Sequence, residues 1–138
     1  MKVLDTDTLT LLFQGHEKVV ARRREETEDV VIALATRIEV LQGRFATLLK
    51  AATGEELLRG QRRLEQAERD LAAFAVLVVS DAAAAEFDRL LLNKAVKKIG
   101  RGDLLIAAIT LANLATLAPR NVKDFKKVPG LRVENWAD

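Results

Sequence analysis

Val3-Leu4-Asp5-Thr6-Asp7-Thr8-Leu9 passes from apolar to polar and back to apolar near the start of the chain. The apolar pair reads as a short buried strand and Asp5 to Thr8 as a turn. Leu9, Leu12 and Phe13 then form the buried stripe of a helix. Beyond it, His16 to Glu28 is densely charged, with Arg22-Arg23-Arg24 next to Glu25-Glu26, before Val30-Val31-Ile32 switches to a second strand.

Thr36 to Ala73 has helical periodicity. Ile38, Leu41, Phe45, Leu48 and Leu49 make one stripe, and Leu57, Leu64 and Leu71 recur in the next segment, with Gly54 as the break between two helices. Glu55/Arg59 and Glu65/Arg69 have the better order for ion pairs along a solvent-flanked helix. Phe74 to Val79 is a continuous apolar run that suits a fully buried third strand, and Asp81 opens a helix through Leu92. Gly100 and Gly102 punctuate before Asp103 opens an apolar helix. Leu117-Ala118 is a fourth strand ended by Pro119, and Leu131-Arg132-Val133 is a final edge strand. Strands alternating with helices predict an open, mostly parallel α/β sheet of about five strands, with a helical pair inserted after strand two.

At 138 residues, 49% hydrophobic and 30% charged, the chain is predicted to be a single globular domain spanning 1–138. Cysteine is absent and His16 is the sole histidine, so neither a thiolate nor a multi-histidine metal site is available. The net charge of +2 is modest, and with a pI near 9.1 it permits a polyanionic partner without requiring one. The first residues lack the apolar stretch of a signal peptide. The longest apolar run, Leu104 to Ala118, is too short for a spanning helix, so a cytoplasmic location without membrane contact is expected.

In open parallel sheets the working residues collect at the carboxyl ends of the strands, which makes Asp5 the first candidate. Glu39 follows the second strand by about two helical turns, one step around from Ile38, which is expected to be buried. Asp103 adjoins an apolar helix, and Asp124 lies in the turn after the fourth strand. Carboxylates gathered at one sheet end repel unless a divalent cation sits among them, and an oxygen-only donor set favours magnesium or manganese over zinc. Such a cation can activate water against a phosphodiester with no nucleophilic side chain. Blander readings stand beside this one. Asp103 is placed to cap its helix, Asp5 and Asp7 to shape a turn, and Glu39 to pair with Arg37 or Arg44 on an exposed face.

Leu4-Asp5-Thr6-Asp7, Glu39, Ile99 to Ala108, Arg120 to Phe125 and Val128 to Trp136 occur in an order that resembles the PIN-domain family. The closing blocks look like those of VapC-like toxin ribonucleases of type II VapBC toxin–antitoxin systems. The resemblance covers almost the whole chain. It implies a Rossmann-like fold and Mg2+-dependent endoribonuclease activity, with the metal held chiefly through Asp5 and Asp103. It also implies support from Glu39 and a fourth acid, an RNA substrate, a homodimer and a VapB-like antitoxin partner. Three departures stand out: Asp7 where the family usually has Asn, Leu117-Ala118-Pro119 in place of the usual Val-Thr, and a longer helical pair between Gly43 and Ala73. The second leaves open whether Asp124 or Asn121 fills the fourth position. The third leaves dimerisation or antitoxin binding as the role of the helices.

Arg22-Arg23-Arg24, Lys94 with Lys97-Lys98, and Lys123 with Lys126-Lys127 are candidates for holding RNA phosphates, or else solvated charged faces. Trp136 reads as a core plug and His16 as a surface or capping residue. Two rival functions remain. Asp5-Thr6-Asp7-Thr8 also resembles the first motif of haloacid-dehalogenase-like phosphatases, in which the first Asp is a nucleophile. A PIN-like scaffold that has lost its metal and binds RNA or a partner is the other.

Overall fold

The computed structural model describes residues 1–138. Five strands, β1 (Lys2–Leu4), β2 (Val30–Ala33), β3 (Val76–Leu77), β4 (Thr116–Ala118) and β5 (Arg132–Val133), form one sheet in the order β3-β2-β1-β4-β5. Every pairing is parallel, with Val3 registered between Val31 and Leu117. The helices are α1 (Thr6–Phe13), α2 (Glu17–Glu25), α3 (Leu34–Leu49), α4 (Gly54–Leu71), α5 (Asp81–Leu91), α6 (Arg101–Ala112) and α7 (Val122–Phe125), with a 3-10 turn at Lys94–Val96. The predicted α/β class and the helical pair after strand two are both present.

The alternation of side chains along each strand sorts the core into two layers. Val3, Val31, Ala33 and Leu117 pack with Leu90, Ile106, Ile109 and Phe125 of the α5–α6–α7 side. Leu4, Ile32 and Ala118 pack with Leu9, Val19, Leu71 and Trp136 on the other face. Because both faces are covered, β2 and the later residues of β1 and β4 are apolar on both sides rather than alternating, with Lys2 and Thr116 at the strand starts. Trp136 is 2% exposed, as a core plug should be, and His16 caps α2 by accepting from the Val19 N–H at 3.4 Å. No helix is long and apolar enough to cross a membrane.

Several details depart from the sequence reading. The helix after β1 begins at Thr6 and not beyond Thr8, because Asp5 itself is the N-cap and accepts from the Thr8 N–H at 2.8 Å. The Phe74–Val79 run yields only the two residues of β3, both half-buried, and Val78 and Val79 are exposed. The reason is position: β3 is an edge strand, with one side of its backbone unpaired. In α3 the predicted stripe is largely in solvent, with Ile38, Phe45 and Leu49 exposed. Helices α3 and α4 pack on one another, meeting closely where a Cβ on Gly60 would lie 3.2 Å from Leu48 Cα. Their far ends leave the sheet behind, so Leu71 is buried while Leu57 is not. Glu55 and Arg59 pair at 3.5 Å, whereas Arg69 bonds Gln66 instead of Glu65.

Candidate active site

Strand β1 sends its connection toward β2, while β4 on its other side leads on to β5, so the chain diverges on either side of the β1–β4 pair. At such a switch point the loops part and leave a crevice beyond the carboxyl ends of the strands. Asp5 stands there, continuing β1 on the side of the sheet that α6 covers. It is 3% exposed, and its oxygens are held by backbone donors from two segments. Oδ1 accepts from Thr8, and the Arg120 N–H lies 3.3 Å from both Oδ1 and Oδ2. Arg120 follows Pro119, so the proline that departs from the family pattern does not prevent the loop after β4 from donating to Asp5.

Asp103 lies in the first turn of α6, whose N-cap is Gly100 with no side-chain capping bond. The capping reading of Asp103 therefore fails, and its carboxylate is left for the crevice. Glu39 is in the second turn of α3 and faces the same crevice, although Ile38 beside it is exposed and not buried as expected. Its Oε1 approaches α6 so closely that a Cβ on Gly102 would fall 2.9 Å away. Asp124 is half-buried and accepts from Asn121 Nδ2 at 2.6 Å, while Asn121 caps α7 through Oδ1. The alternatives for the fourth position are thus hydrogen-bonded neighbours, with Asp124 carrying the charge that Asp103 feels.

The acids raise one another's pKa. Burial pushes the Asp5 carboxyl up against the lowering effect of the Thr8 and Arg120 bonds, and Asp7 adds to the rise. Burial likewise raises Asp103, followed by the charges of Asp7 and Asp124. Glu39 is raised by burial first, then by Asp103, Asp7 and Asp5, with a bond from Thr6 opposing. Asp7 thus acts on Asp5, Glu39 and Asp103 alike, yet the sequence reading left it outside the site. The missed signal is its place two residues from Asp5 in the first turn of α1, which puts both acids at one helix end. Thr6 and Thr36 were also overlooked; their hydroxyls meet at 3.2 Å, the latter fully buried, beside Glu39.

As placed, no three of these acids close into a ready cation cage. They form a wider ring of interacting carboxylates. Oxygen donors held above their usual pKa suit a hard divalent cation, which relieves their repulsion as a proton otherwise would.

No protein-family profile matches the chain. Among curated proteins, it is 24% identical to ribonuclease VapC1 of Haemophilus influenzae strain R2866 over 97% of this chain and 96% of that one. Ribonuclease VapC2 of Rickettsia felis is 53% identical over 38 residues, 28% of either chain. Among solved structures, a chain of the DNA-bound VapBC of Salmonella typhimurium superposes with a TM-score of 0.80 at 23% identity, covering 98% of this chain and 97% of its own. VapBC-1 of nontypeable Haemophilus influenzae gives 0.73 at 23% identity, with 99% and 98% covered. The chain is thus similar in sequence to VapC ribonucleases and shares the α/β fold of these VapBC chains.

Proposed function

We propose that this chain is a metal-dependent endoribonuclease, the toxin of a toxin–antitoxin pair, with Asp5, Glu39, Asp103 and Asp124 as its catalytic acids. The observation that carries this reading is the convergence of Asp5, Glu39 and Asp103, each with a raised pKa, on one crevice at the β1–β4 switch. The two relatives named as ribonucleases support the reaction class. Asp5 and Asp103 would hold Mg2+, with Mn2+ as a substitute. Such an ion supplies charge stabilisation at the phosphate and lowers the pKa of bound water.

The protein's part is positional. The backbone of Thr8 and Arg120 fixes the Asp5 carboxylate in one orientation, so little reorganisation accompanies reaction. Glu39 faces the same crevice, and the burial and neighbouring acids that raise its pKa make its carboxylate a stronger acceptor for a proton from an attacking water. Asp124, steadied by Asn121, adds negative charge beside Asp103 and strengthens its hold on a cation. A phosphatase using Asp5 as nucleophile fits less well, since Asp5 is almost fully buried and already engaged by backbone donors.

The structural neighbours are VapBC assemblies, which supports a VapB-like antitoxin as partner. A homodimer and a cytoplasmic setting complete the proposal. Labelled total RNA incubated with magnesium, with EDTA, and with the Asp5→Asn and Asp103→Asn variants tests it. Magnesium-dependent cutting lost in both variants is expected; undiminished cutting by both would remove the metal-site model.

A further inference from the structure

Next to the acid ring is a concavity of opposite charge, with a volume of about 280 Å³, walled by Lys94, Lys97, Lys98 and Lys127 together with Ile99 and Asp124. Its cations come from two separate segments. Three belong to the 3-10 turn and the residues after it, ahead of α6, and Lys127 follows α7. All four lysines are exposed. Only Lys127 reaches a carboxylate, Asp124 at 3.8 Å, while the other ion pairs of the chain involve none of the four. Charges that serve solubility alone are interspersed in sign. Here four of one sign share a single hollow with one acid, an arrangement that repels itself until an anion enters.

Asp124 ties the two features together, since it walls the lysine hollow and also raises the pKa of Asp103. The lysine hollow thus borders the acids through Asp124, and Lys94, Lys97 and Lys98 have no carboxylate partner of their own. A single small anion needs only one of these two features. A polymer with phosphates in series uses both, one phosphate at the acids with their cation and the next over the lysines. By contrast, Arg22, the first residue of the triple-arginine run, is already engaged by Glu26 at 2.6 Å and Glu134 at 3.1 Å and is not free for phosphate.

We propose that the Lys94–Lys97–Lys98–Lys127 hollow binds the phosphate of the RNA strand that flanks the scissile one. This rests on the nuclease reading for the identity of the strand. Lysines are flexible point charges, so the hollow contributes affinity and register without reading bases.

Salt-dependent binding of a short, labelled, single-stranded oligoribonucleotide tests the assignment. The full-length Asp5→Asn chain is measured with and without the triple change Lys94→Ala, Lys97→Ala, Lys98→Ala, using Lys50→Ala as a distant control. Each phosphate neutralised on a single strand contributes about 0.7 to the log–log salt slope, so losing the one held in the hollow should make it shallower by about 0.7. With Asp5 intact, the triple variant should cleave with KM raised several-fold and kcat little changed. Lys50→Ala should alter neither quantity, and an unchanged melting temperature shows that the exposed substitutions leave the fold intact. An unchanged slope overturns the proposal and leaves the lysines to solvent or an acidic protein partner. If the parent cuts RNA and the slope does not move, the hollow falls and the nuclease stands. If the parent does not cut and the slope falls, the binding site stands and the nuclease reading fails.

Discussion

Two clusters of charge sit on this small sheet, and they are built on opposite terms. On the α2 side, Lys2 is 9% exposed in its side chain yet fully matched. It bonds Glu134 and lies 3.4 Å from Glu28, which also receives the terminal amino group. Glu134 accepts further from Arg22 and from Trp136 Nε1 at 3.1 Å each, and Arg22 lies over the Trp136 ring at 5.0 Å. The bond to Glu134 raises the Lys2 pKa. Burial pushes the Glu134 carboxyl up, but the bonds from Lys2 and Trp136 outweigh it and hold it below the usual range. At the crevice, Asp5, Glu39 and Asp103 are all pushed up, with no cationic side chain paired to any of them. Charges that serve the fold are matched within the chain, whereas those in the crevice wait for something from outside it.

Removing a member of the matched cluster should have the largest effect on stability. Glu134→Gln leaves Lys2 with only Glu28 and should cost about 2 kcal/mol in urea denaturation at neutral pH, below the full value for a buried pair because Glu134 is partly exposed. Since the folded pKa of Glu134 is depressed, its contribution is present above the unfolded value and lost as pH falls through the folded one. The difference between parent and variant should therefore shrink in acid. An equal difference at every pH would show that Glu134 acts by packing alone.

The crevice should respond with the opposite sign. Asp5→Asn keeps an oxygen for the Thr8 N–H and removes a charge that burial disfavours, so it should raise the melting temperature by a few degrees at neutral pH. Because the folded pKa of Asp5 is raised, the parent loses stability as pH climbs from the unfolded value through the folded one. The gain should accordingly vanish at low pH. Magnesium should stabilise the parent more than the variant; equal stabilisation of both would place the cation elsewhere.

Gly102→Ala should have the smallest effect on the fold and the sharpest separation of fold from function. Alanine at this position in the first turn of α6 favours the helix by a few tenths of a kcal/mol, and the atom it meets is the flexible tip of Glu39. Melting should be unchanged or slightly higher, while RNA cleavage falls because the Glu39 carboxylate is displaced. Full activity in this variant would remove Glu39 from the reaction.

The alternation of strands and helices was legible because buried parallel strands are apolar on both faces and the helices between them carry their own punctuation. Asp5, Glu39 and Asp103 were legible as candidates because each adjoins core sequence. The length of β3 was not, since Phe74–Val79 has the composition of a central strand and only the strand order shows it to be an edge. Nor was the exposure of Ile38, Phe45 and Leu49. A helical stripe records that a face is apolar, not that the sheet extends far enough to cover it.

Composition and periodicity, which act over a few residues, determined the α/β class, the element order and the oxygen-only donor chemistry available to a metal. Tertiary structure alone decided that Asp7 belongs with the acids, that Gly102 leaves room for Glu39, and that Lys127 joins lysines some thirty residues earlier around one hollow. Charge coupling depends on distance through space. That distance is set by how β1, β4 and α6 pack, which no local pattern records.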